Sequence, residues 1–175
     1  MQCPRQTGVT APTERHNRHV AECVILIGLP GAGKTRFYND YFAATHAHVS
    51  KDLWPNARGR EERQRGIIEE KLGAGASVVV DNTHPTIAER AVAIAAARRH
   101  GAQVVGYFFN VTTRQAVRRN AARTGRARVP NVAIFTIAKR LEPPALAEGF
   151  DQLFEVQLTL EGAFTVREIG SAGRT

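Results

Sequence analysis

The chain has 175 residues, 43% of them hydrophobic and 23% charged, enough for one well-buried soluble domain and short for two. A formal net charge of +8 sets it apart from an ordinary globular chain, and only Lys34, Lys51, Lys71 and Lys139 of its 24 basic residues are lysines. Arginine's planar fork suits phosphate oxygens, so the bias points to a phosphate-rich partner, with a general Ala/Arg/Gly bias as the plainer source of the same excess.

In chain order, residues 1–21 lack an apolar core; they read as a flexible lead-in rather than a secretory signal. "CVILIG" (23–28) is a short apolar strand ending at glycine, and 35–44 reads as a helix. "AHVS" (47–50) is a second strand, and the charged stretch 61–72 is a helix stopped by Gly73 and Gly75. "SVVVD" (77–81) is a third strand, followed by an alanine-rich helix opened by Pro85 and running to about His100. "AQVVGYFFN" (102–110) is a fourth strand, 113–123 a fourth helix, and a further helix opens at Pro130 or Asn131. The alternating runs 154–160 and 164–169, around Glu161-Gly162, predict a terminal hairpin. Strands alternating with helices imply an α/β domain over 22–170, a mostly parallel sheet covered by helices on both faces, with a short tail over 171–175. No apolar run approaches ~18 residues, so no membrane span is expected. Cys3 and Cys23 stand in no metal-ligand or CxxC spacing, which suggests a reducing, cytoplasmic setting.

"GLPGAGKT" carries the strongest chemical signal: it fits G-x-x-x-x-G-K-[ST] between a predicted strand and a predicted helix. Gly28, Pro30, Gly31, Ala32 and Gly33 let the backbone turn tightly so that its N–H groups face phosphate oxygens, and the following helix adds its positive end. Lys34 is then expected to reach the β and γ phosphates and the Thr35 hydroxyl to ligate Mg²⁺. This predicts a P-loop fold that binds a nucleoside triphosphate. No Asn-Lys-x-Asp base-reading motif of a GTPase is present, and the chain is small for a motor ATPase, so a kinase is favoured.

"SKD" ends the second strand, where loops of a doubly wound sheet line the ligand crevice; Asp52 could there take a proton from an attacking hydroxyl or hold the Mg²⁺ shell, or simply cap the turn. "DNTH" ends the third strand, with Asp81 as an acid behind Mg²⁺ and Thr83 as a hydroxyl for the substrate; helix capping competes for Asn82 and Thr83. "RRNAARTGRARVP" packs five arginines into residues 118–130. Arg119 and Arg123 are four apart and share a face if helical, and Arg126 and Arg128 follow Gly125 in a loop. Helix, glycine-hinged loop and helix form a lid over a triphosphate, its arginines neutralising charge at the transferred group.

"GLPGAGKT", "VSKD", "VVVDNTHP", "RRNAARTGRARVP" and "KRLEPPALAEGFDQLFEV", in that order, resemble the kinase domain of polynucleotide 5′-hydroxyl kinases, over about residues 23–156. The resemblance implies ATP and Mg²⁺ as cofactors, held by Lys34 and Thr35, with Asp52 of an [N/S]-[R/K]-D motif as the general base on the 5′-hydroxyl of DNA or RNA. It also implies Thr83 on the acceptor side, and Arg119 and Arg123 as lid arginines, with Arg126 a further candidate. Relatives carry an acceptor-binding arginine soon after the base; here that region reads "LWPNAR", with Arg58 the available substitute. The D-x-D-G-T nucleophile of a 3′-phosphatase domain is missing, so a kinase alone is expected. Two other readings stay open: a small-molecule kinase acting on a nucleoside, sugar or antibiotic, and a non-catalytic module in which the triphosphate only orders a lid.

Overall fold

The computed structural model describes residues 20–159 and 161–170, without the side chain of Arg126; nearly all of the expected lead-in and the whole of the tail lie outside it. Six strands, β1 (Glu22–Gly28), β2 (Ala47–Val49), β3 (Val78–Asp81), β4 (Gln103–Phe109), β5 (Gln152–Leu158) and β6 (Phe164–Glu168), form one sheet in the order β2-β3-β1-β4-β5-β6. Every pairing from β2 to β5 is parallel, and β6 closes the edge antiparallel to β5, as the alternating C-terminal runs predicted. Five helices, α1 (Lys34–Tyr41), α2 (Arg60–Gly73), α3 (Ile87–Arg99), α4 (Thr113–Ala121) and α5 (Asn131–Arg140), connect the strands.

β1 and β3 are apolar and buried because both faces are covered. Cys23, Ile25 and Ile27 face Ile68 and Leu72 of α2 and Ala93, Ala96 and Ala97 of α3. Val24 and Leu26 face Phe37 and Tyr38 of α1. The alanine run of α3 thus serves close helix–sheet approach. A sheet carrying helices on both faces presents the carboxyl ends of β1, β2 and β3 at one rim, and the candidate residues Lys34, Thr35, Asp52, Asp81 and Thr83 gather there.

Three helix boundaries differ by two or more residues from the sequence reading, the first being α1, which ends at Tyr41 rather than at residue 44. α3 opens at Ile87 rather than Pro85, because the Thr86 hydroxyl accepts from the Glu89 amide (3.2 Å) and makes Thr86 the cap. α4 ends at Ala121, so Arg123 lies beyond the helix and shares no helical face with Arg119. The chain turns there because the Arg123 amide donates to the Asn120 carbonyl (3.1 Å) while the Asn120 side chain captures Val129. The start of α4 is held by a capping box, with Thr112 and Gln115 exchanging side-chain-to-backbone bonds.

Candidate active site

A cleft of about 800 Å³ runs along the carboxyl rim of β1, β2 and β3 beneath the arginine loop. Its floor is the P-loop. Gly28, Gly31 and Gly33 all have positive φ (144°, 82° and 102°), which favours glycine at each. A Cβ on Gly31 would lie 2.8 Å from the Ala116 carbonyl oxygen of α4, so the loop also needs glycine for close approach. Gly33 precedes α1 with no side-chain cap, which leaves first-turn N–H groups to an anionic ligand. Pro30, Gly31 and Gly33 line the cleft, while Ala32 is buried beneath it.

Lys34 is buried, and its Nζ donates to the carbonyls of Gly28 (2.8 Å) and Leu29 (2.9 Å). One of its three protons is left for a phosphate oxygen. Burial pushes the Lys34 ammonium down to about 8, with Arg123 adding repulsion and Asp81 and Asp52 opposing it. The Thr35 hydroxyl donates to Asp81 Oδ2 (2.7 Å), and His48 Nε2 lies 3.1 Å from the same oxygen, its ring stacked on Tyr38. Burial alone would raise the Asp81 carboxyl; hydrogen bonds from His48 and Thr35 and the Lys34 charge outweigh it and hold the group below its usual range. An ionised carboxylate touching a threonine hydroxyl beside Lys34 is an oxygen donor set suited to Mg²⁺. The partner of Thr35 in that set is Asp81 rather than Asp52. Among the described residues no group of three or more His, Cys, Asp or Glu side chains could hold a metal ion.

Asp52 is exposed and lines the same cleft, within a 3-10 turn, Lys51–Leu53. Ser50 caps that turn by accepting from the Asp52 amide (3.3 Å). The turn is tied to the sheet by Asn82, whose Oδ1 accepts from the Lys51 amide (3.0 Å) and whose Nδ2 donates to buried Gln64 (2.7 Å). Asn82 is therefore a brace for the Asp52 turn rather than a helix cap. Thr83 lines the cleft next to it, and its carbonyl accepts from the Gly28 amide (3.0 Å), coupling β3 to the P-loop.

Arg123 lines the cleft, its Nη1 donating to the Ala127 carbonyl (3.3 Å). Arg119 is not among the cleft-lining residues: its Nη1 is buried with no hydrogen-bond partner among the described residues, and burial, then Arg118, lowers its guanidinium. The side chain of Arg126 lies outside the described part. Arg58 is exposed and off the cleft wall, and Arg60 lines it instead. Gly59, at φ 65°, is the N-cap residue directly before Arg60, the first residue of α2.

Sequence reasoning missed His84 and Arg90. His84, at φ 44°, is buried with Nδ1 bonded to the Leu26 carbonyl of β1 (2.8 Å). Burial pushes its imidazole down to about 4, so it is neutral at ordinary pH. The unfolded chain takes up a proton at about 6.5 that the folded protein refuses, so the stability from this group is present above pH 6.5 and lost as pH falls toward 4. That loss amounts to about 3 kcal/mol. His84→Asn keeps a donor for Leu26 and tolerates positive φ, and should flatten the stability profile over this window in urea titrations. An unchanged slope would place the acid sensitivity elsewhere.

The chain belongs to the AAA domain family, whose model matches residues 23–144. Solved structures share its fold at low identity. A gluconokinase from Sinorhizobium meliloti 1021 is 18% identical with a TM-score of 0.57, covering 79% of this chain and 83% of that one. A fungal RNA kinase is 12% identical with a TM-score of 0.62, covering 80% and 77%. A chain of the Pnkp1/Rnl/Hen1 RNA repair complex is 22% identical with a TM-score of 0.57; the match covers 74% of this chain and 46% of that longer one. The architecture is thus the P-loop kinase type, common to proteins named for RNA and for a sugar acid. Among the described residues no helix is long and apolar enough to cross a membrane.

Proposed function

We propose that the chain transfers the γ-phosphoryl group of ATP to the 5′-hydroxyl of a polynucleotide. The observation that carries the reading is one cleft lined together by Lys34 and Thr35 of the P-loop, by Arg123, and by Asp52 with exposed Leu53, Pro55 and Arg60. With a triphosphate seated on the P-loop, the lining from Asp52 to Arg60 serves the acceptor. Asp52 accepts the proton of the attacking hydroxyl as the new O–P bond forms and the β–γ bridging bond breaks, releasing ADP. Lys34 and Arg123 offset the charge that spreads over the transferred group. Mg²⁺, when bound, neutralises phosphate charge; Thr35 would ligate it, and Asp81, held ionised, would support it.

The arginine-borne net charge of +8 supports a polymeric phosphate acceptor over a small neutral one. The test incubates the protein with Mg²⁺ and γ-labelled ATP against 5′-hydroxyl DNA and RNA oligomers, free nucleosides, and gluconate. Label is expected on oligomer 5′ ends, falling as salt rises. Asp52→Asn and Arg123→Ala should each lower kcat about 10²–10³-fold, the range for removing a general base or a charge-stabilising donor. Label confined to the nucleosides or gluconate would assign a small-molecule kinase, and ATP binding without label on any acceptor would leave a nucleotide-dependent clamp.

A further inference from the structure

We propose that Asn120 is a positioning residue whose side chain latches the arginine loop shut at its neck and thereby holds Arg123 over the reacting phosphoryl group. The proposal rests on the phosphotransferase reading above. Asn120 stands in the last turn of α4 and is 0% exposed. Its Nδ2 donates to the Val129 carbonyl (2.7 Å), and its Oδ1 accepts from the Val129 amide (3.0 Å). One primary amide thus pairs both backbone groups of Val129, as a neighbouring strand would, and closes residues 121–128 into a loop at its base. A longer bond to Asn131 Oδ1 (3.4 Å) ties the same amide to the first turn of α5.

The latch also has a fixed reference point. A Cβ on Gly31 would lie 2.8 Å from the Ala116 carbonyl and 3.6 Å from the Asn120 amide nitrogen, so the P-loop abuts α4 at the turn that carries Asn120. Arg123 follows three residues later, its amide bonded to the Asn120 carbonyl (3.1 Å). The position of Arg123 relative to the P-loop is therefore set through Asn120. Only an amide side chain offers one donor and one acceptor at this spacing. Aspartate keeps the bond from the Val129 amide and turns an oxygen toward the Val129 carbonyl; alanine loses both bonds.

The arginines that make the loop reactive also report its closure. Trypsin cleavage after Arg123 and Arg128 reads the neck without requiring transfer. In Asn120→Asp and Asn120→Ala, cleavage within 121–128 should accelerate at least tenfold over cleavage elsewhere, with ATP present. Oligomer phosphorylation should lose about 100-fold in kcat, as for a displaced catalytic group, while the ATP Kd stays within about threefold. The double variant Asn120→Asp/Arg123→Ala should be no slower than Arg123→Ala alone, because both changes remove the same contribution. Additive losses, or unchanged kcat in a folded Asn120→Asp protein, would overturn the proposal. If the wild type labels no acceptor, the phosphotransferase reading fails by itself, and an unchanged tryptic pattern in both variants would still sink the latch.

Discussion

Arg90→Ala should lower folding stability by about 3–5 kcal/mol, a loss comparable with the whole margin of many domains of this size. Arg90 is 0% exposed in α3, and its guanidinium meets Glu148 in a fork, Nε to Oε2 at 2.6 Å and Nη2 to Oε1 at 2.8 Å. Its remaining arm donates to the carbonyls of His84 (3.0 Å) and Glu142 (3.1 Å). Removing the arginine strands a buried carboxylate, the buried His84 carbonyl and the part-buried Glu142 carbonyl. The cost comes mainly from those orphaned groups rather than from the Coulomb energy of the pair. Arg90→Met/Glu148→Leu, which removes both charges, should therefore recover much of what the single change loses. Chemical denaturation of the two singles and the double decides this. A single-variant loss below about 1 kcal/mol would mean that the pair is no more than a surface-grade contact. The consequence for the site is direct: through His84 the same guanidinium is linked to the Leu26 carbonyl of β1, two residues before the P-loop begins.

That hub shows where sequence reading stops. The P-loop was legible because its requirements are local: glycines at positive φ, a lysine and a hydroxyl within eight residues, a strand before and a helix after. Strand runs and the terminal hairpin were legible because burial on both faces, or on one, writes itself as period. The sites of Asp52 and Asp81 followed from strand ends. By contrast, Arg90 and Glu148 are 58 residues apart, and Asn82 and Gln64 are 18 apart; no spacing rule announces either pair. The stretch "LEPPALAEG" marked a family resemblance, and the fold supplies its physical content: Glu142 accepts from the Ile87 amide (2.7 Å), and Glu148 receives Arg90. Helix ends were decided by single capping bonds. Thr86 displaced Pro85, and Asn120 pulled Arg123 off the helix on which its spacing from Arg119 had placed it. Arg60 rather than Arg58 lines the cleft, at the start of α2 just after the left-handed Gly59. Local chemistry was readable; the braces that aim it were not, because their partners are chosen by crossings of the chain.

ATP binding should weaken about tenfold for each pH unit above 8, and Lys34 is the reason. Its ammonium has been pushed down to about 8 from an ordinary 10.5, first by burial. Binding a triphosphate requires the charged form, so above pH 8 the free protein must take up a proton to bind. Calorimetry in buffers of different ionisation heat should register that uptake between pH 8 and 10. Cys23, its thiol pushed up to about 12 by burial, stays silent across the window. The linked effect on the free protein has the opposite sign. Between about pH 8 and 10.5 the unfolded chain holds a Lys34 proton that the folded protein lacks, so this group contributes increasing stability as pH rises. The thermal shift produced by ATP should therefore narrow over the same interval, because the free protein gains stability while the complex, with Lys34 charged as in the unfolded chain, stays level. Lys34→Met should abolish both trends and weaken ATP at pH 7 by roughly 10–100-fold, the worth of a hydrogen bond to a charged group. Wild-type affinity that stays level from pH 7 to 9.5 would show that the ammonium does not carry the phosphate contact, and the floor of the cleft would have to hold the triphosphate through its backbone alone.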